Sequence, residues 1–324
     1  MESIAQEVVC EARTDGITID RIRRQPGFAM PVKHLHNEYE IYYLVEGERY
    51  YFIDQQTYHV KKGSLVLIRP NQIHQTSPAG GSGHDRILIG LSESPFADFF
   101  ASTGESTLAG FFGRHSGVME LDEEDRQYAE ALLSDLICEL TEKKPGYRLM
   151  AMSRLSQLFF HIQRLRSDAS GYQPRAALST QSRHRKVDEV AAYITDNYDQ
   201  PLSLENIAAH FYISKCYLSR IFKEATGFTV NEYINMNRIR HARRLLMNTD
   251  MGITAISEAL GYDSITYFER VFRRYAEVSP SRYRKQYQNR LQPVRPETYE
   301  MAAGSVGVWG LAEGTRRQGG NGGA

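Results

Sequence analysis

The sequence predicts a multidomain α+β protein, in which an N-terminal β-barrel with accessory helices precedes an all-α C-terminal domain. Three observations carry this prediction. The chain has 324 residues, which is more than one domain of ordinary size. Short apolar runs separated by turn-forming residues recur between residues 20 and 92, which is typical of strands. From residue 186 to about 288 the apolar residues recur with a helical period instead.

The composition excludes several classes of protein. The hydrophobic content of 41% and the charged content of 24% are ordinary for a globular protein. No apolar run approaches the roughly 18 residues that a membrane span requires, and the N-terminus lacks the features of a secretory signal. The three cysteines, Cys10, Cys138 and Cys216, form no CxxC pair, which favours a reducing compartment. We therefore expect a cytoplasmic protein with no membrane partner.

Short strands with regular turns predict the N-terminal barrel. The apolar runs at 40–45, 50–53, 65–68 and 87–91 are separated by turn formers such as Gly47, Gly63 and the segment 78–83. Several short strands at close and regular spacing are typical of a β-sandwich or a barrel. We assign residues 1–119 to this domain.

Amphipathic helices follow the barrel. Residues 122–144 place Leu132, Leu136 and Leu140 on one stripe, and a second helix places Leu155 and Phe159 on another. Such stripes either cover the barrel or pair with a second subunit, so residues 120–167 are predicted to couple domains or to form a dimer. The polar segment 168–186 is predicted to be a linker, and the glycine-rich tail 293–324 is predicted to be disordered.

The C-terminal half contains a repeat. The segment 214–223 matches the segment 264–273 at an offset of 50 residues, and each segment follows a short predicted helix. Ser214 and Ser264 are natural N-caps, and Gly261 suits a sharp turn. A short helix, a tight turn and a second helix form a helix-turn-helix unit, here predicted at about 204–225 and again at about 252–275.

Charge and helical geometry indicate which faces would contact DNA. The chain is neutral overall, yet residues 183–290 carry 17 Lys and Arg against 12 Asp and Glu, a net charge of +5. The apolar residues of each second helix face its partner helix, which leaves a compact polar face suited to a major groove. The predicted base-contacting residues are Lys215, Cys216, Ser219, Arg220, Lys223, Ile265, Thr266, Glu269, Arg270 and Arg273.

A long helix is predicted between the two units, over residues 231–247. At 1.5 Å per residue it forms a rod of about 25 Å, which could hold two recognition helices about one DNA turn apart. Basic residues on this rod and after the second unit are predicted to contact phosphates, which position a protein without specifying sequence. These residues are Arg238, Arg240, Arg243, Arg244, Arg282 and Arg284.

Residues 187–286 carry a specific set of motifs. They include Tyr217-Leu218-Ser219-Arg220-Ile221-Phe222-Lys223, Thr226-Gly227, Glu232-Tyr233-Ile234, Gly261-Tyr262, Tyr267-Phe268, Ser279-Pro280 and Tyr283-Arg284. This segment resembles the DNA-binding domain of the AraC/XylS family of bacterial transcription regulators. The resemblance implies two helix-turn-helix units that read adjacent major grooves of promoter DNA. Where the family usually has glycine before the Val278-Ser279-Pro280 motif, this chain has Glu277.

Histidines near the first strand raise the question of a metal. His34, His36 and Glu40 share parity on a predicted strand, and His74 follows on another strand. Residues 25–90 resemble a cupin barrel, whose first motif this region fits and whose second motif it fits only in part. We expect no cofactor: these residues, with Tyr42, are predicted to line an effector pocket, and a divalent metal held by the three histidines and Glu40 is the alternative.

Together these features predict a transcription regulator and not an enzyme. The expected partners are double-stranded promoter DNA, a small-molecule effector, a second copy of the chain and, for an activator, RNA polymerase. A carbohydrate-related effector is implied only by the family resemblance. The alternative is a cupin metalloenzyme fused to a DNA-binding domain.

Overall fold

The computed structural model describes residues 6–26, 36–103, 107–167 and 182–291. The predicted disordered tail lies outside these residues, as do residues 168–181 of the predicted linker. The prediction of a linker through residue 186 is wrong at its end, because a helix begins at Ser182. The buried residues of this helix, Val187, Val190 and Ile194, recur at helical spacing and pack in the C-terminal core. The helix therefore joins residues 182–186, the end of the predicted linker, to the C-terminal domain.

In the part of the N-terminal domain that the structure describes, nine strands form a barrel from two facing sheets. The first sheet has six strands in the order β1-β2-β8-β3-β6-β9, and the second has three in the order β5-β4-β7. Every pairing is antiparallel. The strands are β1 (Gln6–Thr14), β2 (Ile17–Arg24), β3 (Tyr39–Glu46), β4 (Glu48–Ile53), β5 (Gln56–Lys61), β6 (Ser64–Ile68), β7 (His74–Pro78), β8 (His84–Leu91) and β9 (Gly117–Glu120).

The alternation of side chains along β3 separates two cores. Tyr42 and Leu44 point into the barrel, where they pack with Tyr51 and Val60 of the smaller sheet. Ile41 and Tyr43 point to the outer face of the larger sheet and join a second core. Because both faces of β3 are buried, this strand lacks the polar face that a half-exposed strand would show.

Among the described residues, four helices cover the outer face of the larger sheet. They are α1 (Ser94–Thr103), α2 (Leu108–His115), α3 (Glu123–Glu142) and α4 (Tyr147–Ser167). The apolar stripes of α3 and α4 pack in the same core as the sheet residues Ile41 and Leu67, so they cover the barrel. Dimerisation through this segment stays a prediction. Within the described part of the chain, no helix has both the length and the apolar character that a membrane crossing needs.

Seven helices form the C-terminal domain within residues 182–291, and two helix-turn-helix units lie where the repeat predicts them. The helices are α5 (Ser182–Asp196), α6 (Leu204–His210), α7 (Lys215–Thr226), α8 (Val230–Asn248), α9 (Ile253–Ala259), α10 (Ile265–Ala276) and α11 (Pro280–Leu291). The Ser214 hydroxyl accepts a hydrogen bond from the backbone N–H of Tyr217, and Ser264 caps α10 in the same way. Both serines are therefore the N-caps that the sequence predicts.

The repeat extends to backbone conformation. Gly261, in the second turn, has a φ of +73°, and a Cβ there would lie 2.3 Å from the carbonyl oxygen of Asp199. The equivalent residue of the first turn, Tyr212, has a φ of 54° and is almost fully exposed. The second turn lies against another backbone, so the space there requires glycine, whereas the exposed Tyr212 has room for its side chain.

Glu277 ends α10 in the left-handed conformation, with a φ of 62°, as Gly227 ends α7. A side chain in this conformation is strained, so Glu277→Gly is expected to raise the free energy of unfolding by about 0.5–1 kcal/mol. Urea denaturation followed by circular dichroism measures the change. Arg274→Gly, at an exposed helical position of α10, is the control and should instead cost about 1 kcal/mol. Destabilisation by both glycines would contradict the argument.

Candidate nucleic-acid interface and effector site

The recognition helices α7 and α10 present equivalent faces. Their apolar residues Leu218, Ile221, Phe268 and Val271 are buried against the partner helices. On the opposite faces Ser219 and Glu269 are half-buried, and the remaining predicted base-contacting residues are exposed: Lys215, Cys216, Arg220, Lys223, Ile265, Thr266, Arg270 and Arg273. The structure therefore places every one of these ten side chains on the two faces that the repeat predicts.

Each recognition helix carries one arginine stacked on a tyrosine. The guanidinium of Arg220 lies 5.8 Å from the ring centroid of Tyr217, and that of Arg270 lies 5.1 Å from that of Tyr267. Neither arginine forms an ion pair with a residue that the structure describes. Stacking limits the conformations of the guanidinium and leaves its donors exposed, which suits a bidentate contact with guanine.

The prediction of phosphate contacts is wrong for Arg238 and Arg284, because both side chains hold the domain together. Arg238 is buried and donates hydrogen bonds to the carbonyl oxygens of Tyr198 and Gln200, at 2.7 and 2.8 Å. Arg284 donates to the carbonyl oxygens of Leu246 and Met251, at 3.3 and 2.6 Å. Both guanidinium groups are held by backbone carbonyls inside the domain, so they are not available to phosphates.

Two further arginines bind the barrel instead of facing solvent. Arg240 donates to the carboxylate of Asp54 at 2.7 Å. Arg243 is only 2% exposed and donates to the side-chain oxygens of Asn37 and Asn71. The prediction of phosphate contacts is therefore wrong for both in this arrangement of the domains. Arg244 and Arg282 are exposed, and for them it stays a prediction.

Three donor groups meet at one end of the barrel. Nε2 of His36 lies 3.0 Å from Oε2 of Glu40, and Nε2 of His74 lies 3.4 Å from the same oxygen. The ligand atoms of all three lie within 4.8 Å of one another, so they fit a divalent ion. The strand argument for His36 is wrong, because β3 begins at Tyr39 and His36 reaches Glu40 from the preceding loop. His34 lies outside the described residues.

Charge pairing explains how these groups are buried. Burial by itself would raise the pKa of Glu40, but the neighbouring His74 and His36 outweigh it and hold the pKa of this carboxyl well below its usual range. Burial by itself would lower the pKa of His74, and Glu40 outweighs it and raises that pKa. Tyr42 does not join this cluster. It points into the other end of the barrel interior, together with three arginines that the sequence analysis did not single out, Arg24, Arg49 and Arg86.

Two family models match this chain. One, described as an AraC-like ligand binding domain, matches residues 17–159, which span β2 to β9 of the barrel and α1 to most of α4. The other, described as a helix-turn-helix domain, matches residues 207–286 and includes both recognition helices. The chain belongs to the AraC family of transcriptional regulators. Its function is accordingly that of a DNA-binding transcription regulator with an N-terminal ligand-binding domain.

Relatives of this AraC-family regulator span most of its length. It is 28% identical over 258 residues to the HTH-type transcriptional regulator YfiF of Bacillus subtilis, and this match covers 79% of each chain. It is 25% identical over 272 residues to the melibiose operon regulatory protein of Escherichia coli, covering 81% of this chain and 86% of that protein. It is also 38% identical over 123 residues to the HTH-type transcriptional regulator YijO of Escherichia coli, a match that covers 37% of this chain and 44% of that protein.

In this AraC-family regulator the small sheet of the barrel packs against the DNA-binding domain. Phe52 and Ile73 belong to the same apolar core as Phe222 and Tyr233. The Thr57 hydroxyl donates to the carboxylate of Asp188 at 2.8 Å. Burial raises the pKa of that carboxyl to about 6, although the hydrogen bond from Thr57 opposes the shift. No local sequence pattern indicates this interface, since its partners lie more than 100 residues apart.

The packing leaves the two recognition helices of the regulator in different surroundings. A cleft of about 790 Å³ lies between α7 and β7, with Lys215, Ser219 and Lys223 on one wall and Thr76 and Pro78 on the other. A major groove about 12 Å wide must accept a recognition helix between two phosphate strands, and β7 lies just across this cleft from the face of α7 that would enter the groove. The corresponding cleft on α10 is lined by residues of α10 alone. The second unit is therefore open to DNA and the first is obstructed.

Proposed function

We propose that this regulator binds promoter DNA at two half-sites about one helical turn apart, as a cytoplasmic homodimer that responds to a small-molecule effector and works without enzymatic activity. The observation that carries the proposal is the pair of equivalent recognition faces on α7 and α10, each with an arginine stacked on a tyrosine. The relative named as the melibiose operon regulatory protein supports a carbohydrate-related effector. Contact with RNA polymerase belongs to the proposal if the regulator is an activator.

Sequencing of the DNA that co-precipitates with the protein from its own cells tests this function. We expect a few sharp peaks that share a motif with two half-sites about 10 base pairs apart. Diffuse signal without a motif would contradict specific regulation and favour the alternative, a cupin metalloenzyme fused to a DNA-binding domain. Turnover of a small substrate by the purified protein would support that alternative.

The obstructed α7 supports a mechanism of regulation. The barrel must leave α7 before both recognition helices can enter adjacent major grooves, so the docked arrangement binds DNA less tightly than an undocked one. An effector that binds the undocked arrangement better would shift the population towards DNA binding. The size of the shift equals the difference between the effector's binding free energies for the two arrangements.

Thr57→Val tests this mechanism from the barrel side, at a side chain of β5 that is fully buried in the docked arrangement and contacts Asp188 of α5. The change keeps the shape of the side chain but leaves the half-buried carboxylate of Asp188 without this donor. We expect docking to weaken by about 1 kcal/mol, so effector-free affinity for a two-half-site duplex should rise roughly fivefold. Fluorescence anisotropy measures the affinity.

The matched control is Tyr58→Phe, one residue along β5. It removes a hydroxyl whose one hydrogen bond to a described residue lies within the strand, to Gln56 at 2.7 Å. Its affinity for DNA should equal that of the wild type. A Thr57→Val protein that binds DNA no better than Tyr58→Phe would show that docking does not limit DNA binding.

DNA recognition by this regulator requires no metal ion under the proposal. His36, Glu40 and His74 would hold a divalent ion through two nitrogens and one oxygen, yet they also compensate one another's charge and hydrogen bonding without it. Elemental analysis of the purified protein is expected to find far less than one equivalent of transition metal. One full equivalent, with specific DNA binding lost on treatment with a chelator, would contradict this expectation.

A further inference from the structure

The turn of the first helix-turn-helix unit ends α6 with a specific pattern of backbone hydrogen bonds. The N–H of Ile213 donates to the carbonyl oxygen of Ala208 at 3.0 Å, and the N–H of Tyr212 donates to that of Ala209 at 3.1 Å. This pattern is the Schellman motif, which places the residue after the helix cap in the left-handed conformation, where glycine is usual. Here that residue is Tyr212, with a φ of 54°.

The second unit has the same turn with glycine in this place. The N–H groups of Gly261 and Tyr262 donate to the carbonyl oxygens of Glu258 and Ser257, so the two turns share one hydrogen-bond pattern. Glycine adopts the left-handed conformation without the strain that a Cβ brings. The first turn is therefore less stable with Tyr212 than it would be with glycine.

The ring of Tyr212 does not offset this strain within the protein. The residue is 97% exposed. Among the described residues none stacks on the ring and none forms a hydrogen bond with the hydroxyl. Residues in a strained conformation cluster at functional sites, and an exposed tyrosine offers both an apolar ring and a donor. The combination of strain and exposure indicates a contact with another molecule.

The place of the turn indicates which molecule this is. When a helix-turn-helix unit binds DNA, its second helix enters the major groove with its N-terminal residues on the base edges, and its first helix crosses the phosphate backbone. The turn that joins the two helices therefore lies beside the sugar-phosphate chain that borders the groove. Tyr212 comes three residues before Lys215, the first residue of α7.

The charge around this turn favours a nucleic acid. The helix α7 carries three basic residues, Lys215, Arg220 and Lys223, and one acidic residue, Glu224. Lys215 lies 3.6 Å from the carboxylate of Glu205, but the two side chains are 61% and 62% exposed, so water weakens this ion pair. A surface of this charge attracts a polyanion.

We propose that Tyr212 contacts the sugar-phosphate backbone of DNA beside the half-site read by α7, with its ring against a deoxyribose and its hydroxyl donating to a phosphate oxygen. Tyrosine hydroxyls are among the ordinary donors to phosphates. The inference rests on the proposed function, in which α7 enters a major groove, and it adds a contact that specifies no base. Gly261 has no side chain for such a contact, so the contact distinguishes the first half-site from the second.

Tyr212→Gly tests this contact because it removes the side chain and relieves the left-handed strain. We expect the full-length variant to have a higher urea midpoint than the wild type and yet to bind DNA about tenfold more weakly. A loss of affinity that accompanies a gain of stability cannot result from unfolding. Fluorescence anisotropy on the promoter site and on a scrambled duplex of the same length measures the affinity.

The salt dependence identifies the kind of contact. A neutral side chain displaces no counterion from a phosphate by charge, so Tyr212→Gly should weaken binding to both duplexes alike and leave the slope of affinity against salt unchanged. Loss of a base-reading residue weakens the promoter site more, and loss of a cationic residue reduces the slope. Tyr212→Phe keeps the ring and the strain but loses the hydroxyl, so it should bind about threefold more weakly at an unchanged urea midpoint.

The matched control is Lys143→Gly in the helical layer over the barrel. Lys143 ends α3 in the left-handed conformation, with a φ of 51°, so glycine relieves the same kind of strain there. The helix-turn-helix units are unchanged in this variant. Its affinity for both duplexes should therefore equal that of the wild type.

The same titrations separate this inference from the proposed function. The inference is overturned if Tyr212→Gly binds both duplexes as tightly as the wild type, or if its loss of affinity is confined to the promoter site. Normal DNA binding with a loss of transcription by added RNA polymerase would overturn it in favour of a contact with polymerase. A wild type that does not prefer the promoter site would overturn the proposed function, whatever the Tyr212 variants do.

Discussion

Arg270→Ala is expected to weaken binding to the regulator's own promoter site by about 1–3 kcal/mol, which is roughly five- to 150-fold in affinity. Arg270 is exposed on α10, its guanidinium lies over the ring of Tyr267, and the barrel leaves this helix open. An arginine so placed can donate two hydrogen bonds to one guanine, and alanine can donate none to that base. Anisotropy on the site recovered by sequencing and on a scrambled duplex gives both affinities.

The two duplexes distinguish reading of bases from attraction to phosphates. Arg270→Ala should reduce affinity for the promoter site far more than for the scrambled duplex. Arg244→Ala, an exposed residue of α8, is the contrasting variant and should weaken both alike and reduce the slope of affinity against salt by about one. If Arg270→Ala instead behaves like Arg244→Ala, Arg270 contacts phosphate and the assignment of the face of α10 is wrong.

Arg243→Ala is expected to lower the free energy of unfolding by about 3 kcal/mol. The buried guanidinium donates to the side chains of Asn37 and Asn71 and to the carbonyl oxygen of Tyr275, the last at 2.6 Å. Alanine would leave these acceptors without their donor and a cavity beside Tyr283, whose ring centroid lies 5.8 Å from the guanidinium. Urea denaturation monitored by circular dichroism measures the loss.

The neighbouring residue provides the control for this second prediction. Arg244 has the same charge on the same helix but is exposed, so Arg244→Ala should change stability by no more than about 0.5 kcal/mol. A contrary result would be an Arg243→Ala protein as stable as the wild type but weaker on all DNA. In that case Arg243 would face phosphates, and the docked arrangement would not be the predominant one.

The helix-turn-helix units could be predicted from sequence because their signals are local. Ser214 and Ser264 act on backbone groups within the next three residues, and the stripe of Leu218, Ile221 and Phe222 depends only on the pitch of one helix. The offset of 50 residues between the copies placed Arg220 and Arg270 on equivalent faces. Glu277 stood out by comparison with the family pattern, and its φ of 62° shows that the position requires the left-handed conformation.

The arginines of α8 show where such reasoning stops. Helical spacing indicates only that Arg240 and Arg243 lie on a face away from the core of their own domain. Whether that face meets water, phosphate or protein depends on Asp54 and Asn71, which lie 186 and 172 residues away along the chain. No local pattern encodes a partner at that distance, and a charged side chain has the same helical signal in each case.

The sequence by itself determined the order of the two domains, the two recognition faces and the equivalent N-caps of the two recognition helices. Each of these features depends on contacts between near neighbours in the chain. The tertiary structure decided which polar residues face the barrel interior, which arginines are structural and which recognition helix is obstructed. These properties arise where strands and domains distant in sequence come together. There burial and charge pairing, not periodicity, fix what a side chain does.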